Sequence, residues 1–429
     1  MPWKRDACAK RSLLLALKRN ANLAGIRSLP PLQSRQGARL MRWLDESGLA
    51  LSLLKSVRSH STGGGLSAEW RDALEGRRER NDGRLQDMLG EFQRLNDAFR
   101  AQGILAVTLK GFSLVPDFCA DPSLRHQTDF DFLVGPEDVD VAAEVLRSCG
   151  YSTPQLSHSE ESFFTTPLHR VPSRTDDLYA IQHHRQVDLH VSLTESLPWL
   201  QVDFPGTGAE AVIPMSISGI SFNCLPLETR FLVQVLHAFR HSFRSWLRLS
   251  WLMEIGRCMD LYLDDDRLWA RLRNHAGDGL MTKRIFAFIL SLTNRLFETR
   301  IPPAIADWAT EGMTPSLRAW LDHFSEGWAL TDWPGSLSNL FLAPDFIADP
   351  RLRYEYFRSR LIPKRERLTI ETRSGNDLER PFLWQLQRWK YVAHRAGVHL
   401  GDLVRLPLEQ LRWQRALGSA RAGLDQAHS

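Results

Sequence analysis

Arg125-His126-Gln127-Thr128-Asp129-Phe130-Asp131-Phe132-Leu133-Val134 is the stretch on which the reading of this chain turns. From Asp129 to Phe132 apolar and polar residues alternate, the period of a β-strand. Alternation puts Phe130 and Phe132 on one face and Asp129 and Asp131 together on the other. Two carboxylates about 7 Å apart along one strand face repel unless a cation lies between them. A divalent ion answers that need, because hard cations take carboxylate oxygens. The expectation is a strand that holds magnesium for chemistry on phosphates.

Upstream, Ile104 to Leu109 is a short apolar run, read as a buried strand closed by Lys110-Gly111. A long amphipathic helix precedes it from about Ser67. It carries Leu85, Met88, Leu89, Phe92, Leu95 and Phe99 at helical spacing and stops at Gly103. Before a glycine-rich break at Ser61 to Gly65, residues 1–60 read as helical. Between the two strands, a short helix is expected from Phe112 to Phe118, then a turn at Asp121-Pro122. Downstream, Pro136 opens a helix that runs through Cys149 to Gly150.

A β meander follows: Ser162 to Thr166, Leu178 to His183, and Gln186 to Leu193. In the last strand Val187-Asp188-Leu189-His190-Val191 alternates again and puts Asp188 and His190 on its polar face. After Pro226 the pattern is helical: Glu228 to Phe243, Trp246 to Leu263, Met281 to Phe297, and Pro315 to Leu330 with Thr314 as N-cap. Trp333 to Pro350 reads as a linker. Arg351 to Leu361, Leu383 to His394 and Leu408 to Leu417 form a basic helical tail. The fold class is α+β, a small mixed sheet flanked by N-terminal and C-terminal helical regions. The boundaries are 1–84, 85–225, 226–332 and 333–429.

Composition is that of a globular protein: 429 residues, 43% hydrophobic and 24% charged. A net charge of +4, from 54 basic and 50 acidic residues, does not by itself argue for a nucleic-acid footprint. Fourteen tryptophans beside abundant arginine suggest Arg–aromatic contacts. The five cysteines are scattered without a C-x-x-C spacing, so neither a disulfide framework nor a cysteine zinc site is supported. Leu13 to Leu17 is too short for a signal segment, and Ile285 to Leu292 is far short of a membrane span. A reduced, cytoplasmic protein fits best.

The chemistry-bearing set is Gly111, Asp129, Asp131 and Asp188. A strand ending in glycine lets the backbone approach a ligand, and the next helix start offers N–H groups to a phosphate. Three carboxylates from two strands can ligate two divalent ions, which activate an attacking hydroxyl and neutralise a leaving pyrophosphate. Other Asp-x-Asp pairs, Asp138/Asp140 and Asp264/Asp266, fall in and at the start of helices and read as solvated. His237 and His241 lie four apart on one helix face but lack the glutamate of H-E-x-x-H, so a packed or substrate-facing role is preferred to metal ligation.

Leu109-Lys110-Gly111 followed by Arg125-x-x-x-Asp129-Phe130-Asp131-Phe132-Leu133-Val134 resembles the core of the uncharacterised nucleotidyltransferase family, within the DNA polymerase β-like superfamily. Val187-Asp188-Leu189-His190, His237-Ala238-Phe239-Arg240-His241 and Trp246-Leu247-Arg248-Leu249 follow in the family's order, and Arg351 to Pro363 resembles its closing segment. The resemblance covers residues 85 to 365. It implies that Asp129 and Asp131 are metal ligands and that Asp188 is a third ligand and general base. Lys110, Gly111, Ser113 and Arg125 are implied on the nucleotide side. The implied cofactor is Mg2+, with Mn2+ an alternative, and the implied substrates are an NTP and an acceptor hydroxyl on protein, sugar or RNA.

Two departures stand out. Gly111 is followed by Phe112, so the serine of the superfamily's turn comes only at Ser113. The family's helical Trp…Asp pattern ends here in Glu254. His190 is expected to hydrogen-bond Asp188. Two rivals remain: a non-catalytic module of the same fold that binds a partner protein, and a glycosyltransferase. A single short strand before the motif argues against the second.

Overall fold

The computed structural model describes residues 2–60, 65–152, 161–165, 178–179, 181, 185–193, 195–197, 200–202, 212–243, 247–331, 338–361 and 403–418, with 389, 393, 397, 400 and 401. Helices α1 (Pro2–Leu15), α2 (Arg35–Glu46) and α3 (Ala50–Ser59) lead into α4 (Ala68–Ala101). Strands β1 (Val107–Thr108) and β2 (Asp129–Leu133) follow, then helix α5 (Val139–Ser148). Next come β3 (Tyr151–Ser152), β4 (Glu161–Thr165), β5 (Gln186–His190), β6 (Glu195–Leu197), β7 (Leu200–Val202), β8 (Ile213–Ile217) and β9 (Ile220–Cys224). Helices α6 (Leu227–Phe243), α7 (Leu249–Leu261), α8 (Asp266–Ala276), α9 (Leu280–Phe297) and α10 (Pro303–Thr310) follow. Next are α11 (Pro315–Ala329), α12 (Asn339–Phe346) and α13 (Pro350–Leu361), and residues 403–418 are helical, as expected over Leu408 to Leu417. The architecture is α+β.

Among the described residues the main sheet has seven strands in the order β3-β4-β5-β2-β1-β9-β8. The central pair β2 and β5 is parallel, and β1 runs antiparallel to β2. Phe130, Phe132, Val187 and Leu189 fill one face and pack against Met88, Phe92, Leu95 and Phe99 of α4. Phe92 lies 4.9 Å from Phe112 and 5.8 Å from Phe130, ring centre to centre. The other face meets the helical body: Val107 and Leu109 pack with Val233 of α6.

Helix α4 belongs to both cores. Trp70 and Leu74 enter the helical core, while Met88 to Phe99 enter the sheet core. Between them Asn81 and Arg84 are buried. Asn81 donates to the carbonyls of Ser123 (2.8 Å) and Arg125 (3.3 Å), and Arg84 to that of Gln127. Buried polar groups in mid-helix are affordable only when they find partners; here the partners fix the backbone that enters β2.

The N-terminal helices and the C-terminal body share one hydrophobic core, from Leu13 and Leu44 to Trp320 and Phe346. The expected boundary at residue 84 falls inside α4. The expected linker at Trp333 to Pro350 contains α12, whose Leu342 and Phe346 are buried and whose Asn339 donates to the carbonyl of Ser242 at 2.6 Å. Phe112 to Phe118 shortens to one 3-10 turn, Gly111–Leu114, because Pro116 has no N–H to extend it. Helices α8 and α10 were not foreseen. Asp265 caps α8 by accepting from the Leu268 N–H at 2.9 Å, and the prolines before α10 start a helix instead of breaking one. Thr314 caps α11 as expected.

Trp70, Trp269, Trp308 and Trp320 are fully buried core residues. The expected Arg–aromatic contacts include Arg77–Tyr179 and Arg360–Tyr356, and Lys10 lies over Trp43. All five cysteines are free thiols. No helix among the described residues is long and apolar enough to cross a membrane. Residues 61–64, Thr166, His183, His184, Trp246, Trp333 and most of Leu383 to His394 lie outside the described residues.

Candidate active site

Register brings the acids together. In the parallel pair, Asp131 lies opposite Asp188, and Asp129 opposite Gln186. Cross-strand neighbours sit about 4.8 Å apart, closer than Asp129 and Asp131 are along their own strand. The three carboxylates therefore share the face turned away from the phenylalanine core. Asp131 is 5% exposed, as expected of an acid under the helical body and not of one in solvent.

Each acid has a different surrounding. The Asp131 Oδ1 accepts from the Lys110 ammonium at 2.7 Å and lies 3.1 Å from His190 Nε2. Burial alone would raise its carboxyl, but Lys110 and His190 outweigh burial and hold it well below the usual carboxylate range. Asp129 has the opposite balance. Burial, then the charges of Asp131 and Asp188, push it up to about 6. Asp188 accepts from Gln186 Nε2 at 2.7 Å. Among the described residues no three His, Cys, Asp or Glu side chains are drawn into one ligand cluster. The acids share a face, and Lys110 holds the central one.

The expected partner of His190 was Asp188. The structure gives it Asp131 instead, because His190 stands opposite Leu133, one strand over and beyond Asp131.

Gly111 follows Lys110 with φ +62. A Cβ there would lie 2.2 Å from Gln127 Nε2, which itself donates to the Asp129 carbonyl at 2.9 Å. Glycine is thus required both by conformation and by the amide that buttresses the acid strand. Ser113, two residues on, is completely buried. Its hydroxyl donates to the Lys110 carbonyl at 3.3 Å, and its own carbonyl accepts from Arg230 at 2.5 Å. It braces the turn from within.

Arg125 is half-buried against the helical body. Its Nε donates to Glu254 Oε1 at 2.9 Å, while Gln234 donates to Oε2 at 3.0 Å. Burial works against the guanidinium charge, and Glu254 more than compensates. The glutamate that departed from the family's pattern is therefore the acid that anchors Arg125. His237 and His241 meet Trp251 edge to face, ring centres 4.5 and 4.9 Å from the indole. Burial, then the positive charge of Lys110, keeps His237 neutral, well below the ordinary histidine range.

Sequence reasoning missed the supports: Asn81, Arg84, Gln127, Gln186 and Gln234. Two carried a signal. Gln127 and Gln186 each stand two residues before an acid, Gln186 on the same strand face. Asn81 and Arg84 were legible only as a polar interruption of a helix.

A mixed sheet with three acids on one face of its central pair, beside a glycine turn ending the next strand, is the core of a nucleotidyltransferase. The chain belongs to the family described as uncharacterised nucleotidyltransferase, whose model matches residues 33–298. That match begins ahead of α2 and ends just after α9, so the resemblance of Arg351 to Pro363 falls outside it. No curated protein and no solved structure matches the chain.

Proposed function

We propose that this protein transfers a nucleoside monophosphate from an NTP to an acceptor hydroxyl, in a magnesium-dependent reaction. The observation that carries the proposal is the β2–β5 register, which sets Asp188 beside Asp131 on the face that also bears Asp129. The acids fit a hard divalent cation in kind: oxygen donors, Asp131 buried and Asp129 and Asp188 half-buried, in mutual repulsion at Asp129. Asp129, Asp131 and Asp188 would hold the ion, with Mn2+ a substitute. When bound, it would supply positive charge to the phosphates and acidify the attacking hydroxyl.

The protein's own groups do the rest. Asp188 accepts the proton of the acceptor hydroxyl. The hydroxyl oxygen forms a bond to the α-phosphorus, the bond from that phosphorus to the bridging oxygen breaks, and pyrophosphate leaves with the electron pair. Gly111 keeps the backbone clear of the triphosphate. Lys110 neutralises charge on the triphosphate. Arg125, set by Glu254, adds its positive field to the same face.

One observation favours the partner-binding alternative: Asp131 is already satisfied by Lys110 and His190. The test is label transfer. Purified protein is incubated with α-labelled NTPs, Mg2+ and lysate, beside Asp129→Asn and Asp188→Asn variants. Transfer by the wild type, lost on the order of 10³-fold in either variant with the fold intact, supports the enzyme. No label on protein, sugar or RNA, with unchanged NTP and metal affinity in the variants, supports the binding module.

A further inference from the structure

We propose that Lys110 is an internal counter-ion that a divalent cation must displace, and that its release couples metal loading to nucleotide binding. The inference rests on the nucleotidyl-transfer reading and deepens it. Its ground is the contact between the Lys110 ammonium and Asp131 Oδ1 at 2.7 Å, between side chains only 11% and 6% exposed.

Three features make this contact more than a salt bridge. First, it falls on the central acid. Asp131 is flanked by Asp129 on its own strand and by Asp188 across the register. A cation held between either pair must draw on Asp131. Second, the same oxygen also meets His190 at 3.1 Å. Lys110 and His190 together crowd Oδ1, one of the two oxygens that Asp131 could offer a metal ion. Third, two like charges a few ångströms apart in a buried site repel strongly. A divalent ion and the ammonium therefore compete for that carboxylate.

Displacement is mechanically cheap. Lysine carries its charge on a flexible four-carbon stem. Its backbone is anchored next to Gly111, where the chain turns at φ +62, so the stem swings while the strand end stays fixed. The face it swings across is bounded by the helical body, where His237 of α6 is kept neutral by burial first and by the charge of Lys110 second. His237 is neutral and offers no counter-charge. The anion that compensates the released ammonium arrives with the metal: the triphosphate. Metal without nucleotide costs Lys110 its contact with Asp131. Nucleotide without metal finds Lys110 engaged. Together they satisfy each other.

The test separates two affinities. Mn2+ binding is followed by electron paramagnetic resonance, and Mg2+ binding by calorimetry, without nucleotide at pH 8, for wild type, Lys110→Met and Lys110→Gln. Thermal melts establish that each variant is folded. Removing the competing charge is expected to tighten metal binding on the order of tenfold, the equivalent of one pKa-sized interaction. In saturating metal, NTP affinity is expected to fall by a similar factor. Opposite signs in the two measurements are the signature. Metal affinity that is unchanged or weaker in both folded variants overturns the counter-ion role even if the wild type transfers nucleotide. Absence of metal binding in wild type and variants alike overturns the nucleotidyl-transfer reading, and the inference with it.

Discussion

At the residue scale, Gly111 and Glu254 show how narrowly the site is specified. Gly111 combines a left-handed backbone with a neighbour 2.2 Å from any Cβ. Gly111→Ala is expected to cost about 1–3 kcal/mol and to loosen Gln127 from the acid strand. Urea unfolding checks the first, and a drop in label transfer beyond that explained by stability checks the second. Glu254 is a buried carboxylate whose charge is met by Arg125, and breaking such a pair costs more than the pair contributes. Glu254→Ala should therefore destabilise by about 3–5 kcal/mol, while Arg125→Met with Glu254→Met should recover part of that loss. A double-mutant cycle reads the coupling. If the single and double losses simply add, the pair is not the anchor described above.

At the element scale, the entrance to β2 is held from two sides, by Asn81 and Arg84 of α4 and by Arg248 before α7. His126 sits between them. Burial, then the charges of Arg84 and Arg248, keep it neutral, with its protonation pushed well below the ordinary histidine range. The sign follows from linkage. The unfolded chain binds a proton at this position near pH 6.5 and the folded chain does not, so stability is full above that pH and is lost as pH falls toward the depressed folded value. Stability against urea is expected to decline from pH 7 to pH 5, and His126→Gln should flatten that slope. An unchanged slope would mean that another group sets it. His237 adds in the same direction, so the slope should flatten only in part.

At the scale of the whole molecule, the first sixty residues and the last helices belong to one core. Trp320 packs on Phe288 at 5.5 Å and Phe346 on Phe239 at 4.8 Å. The family match ends at residue 298, before those partners. A chain truncated after Glu298 would expose Phe239, Phe288 and their neighbours. It is expected to lose cooperative unfolding and to become protease-sensitive, as measured by circular dichroism and limited proteolysis. A sharp transition in the truncated chain would show that α11 and α12 are appended and not integral.

The sequence alone determined the acid strand, the second acid strand, the glycine turn and most helices, because each is written in local periodicity: two for strands, near four for helices. It determined the class of the protein through the order of those motifs. Only the tertiary structure decided who neutralises whom. Lys110 meets Asp131 across 21 positions and Arg125 meets Glu254 across 129, separations at which no local pattern couples the partners. Pairing across strands and helices is set by register and packing, and so the difference between a face bearing three acids and a site governed by one lysine became visible only in the folded chain.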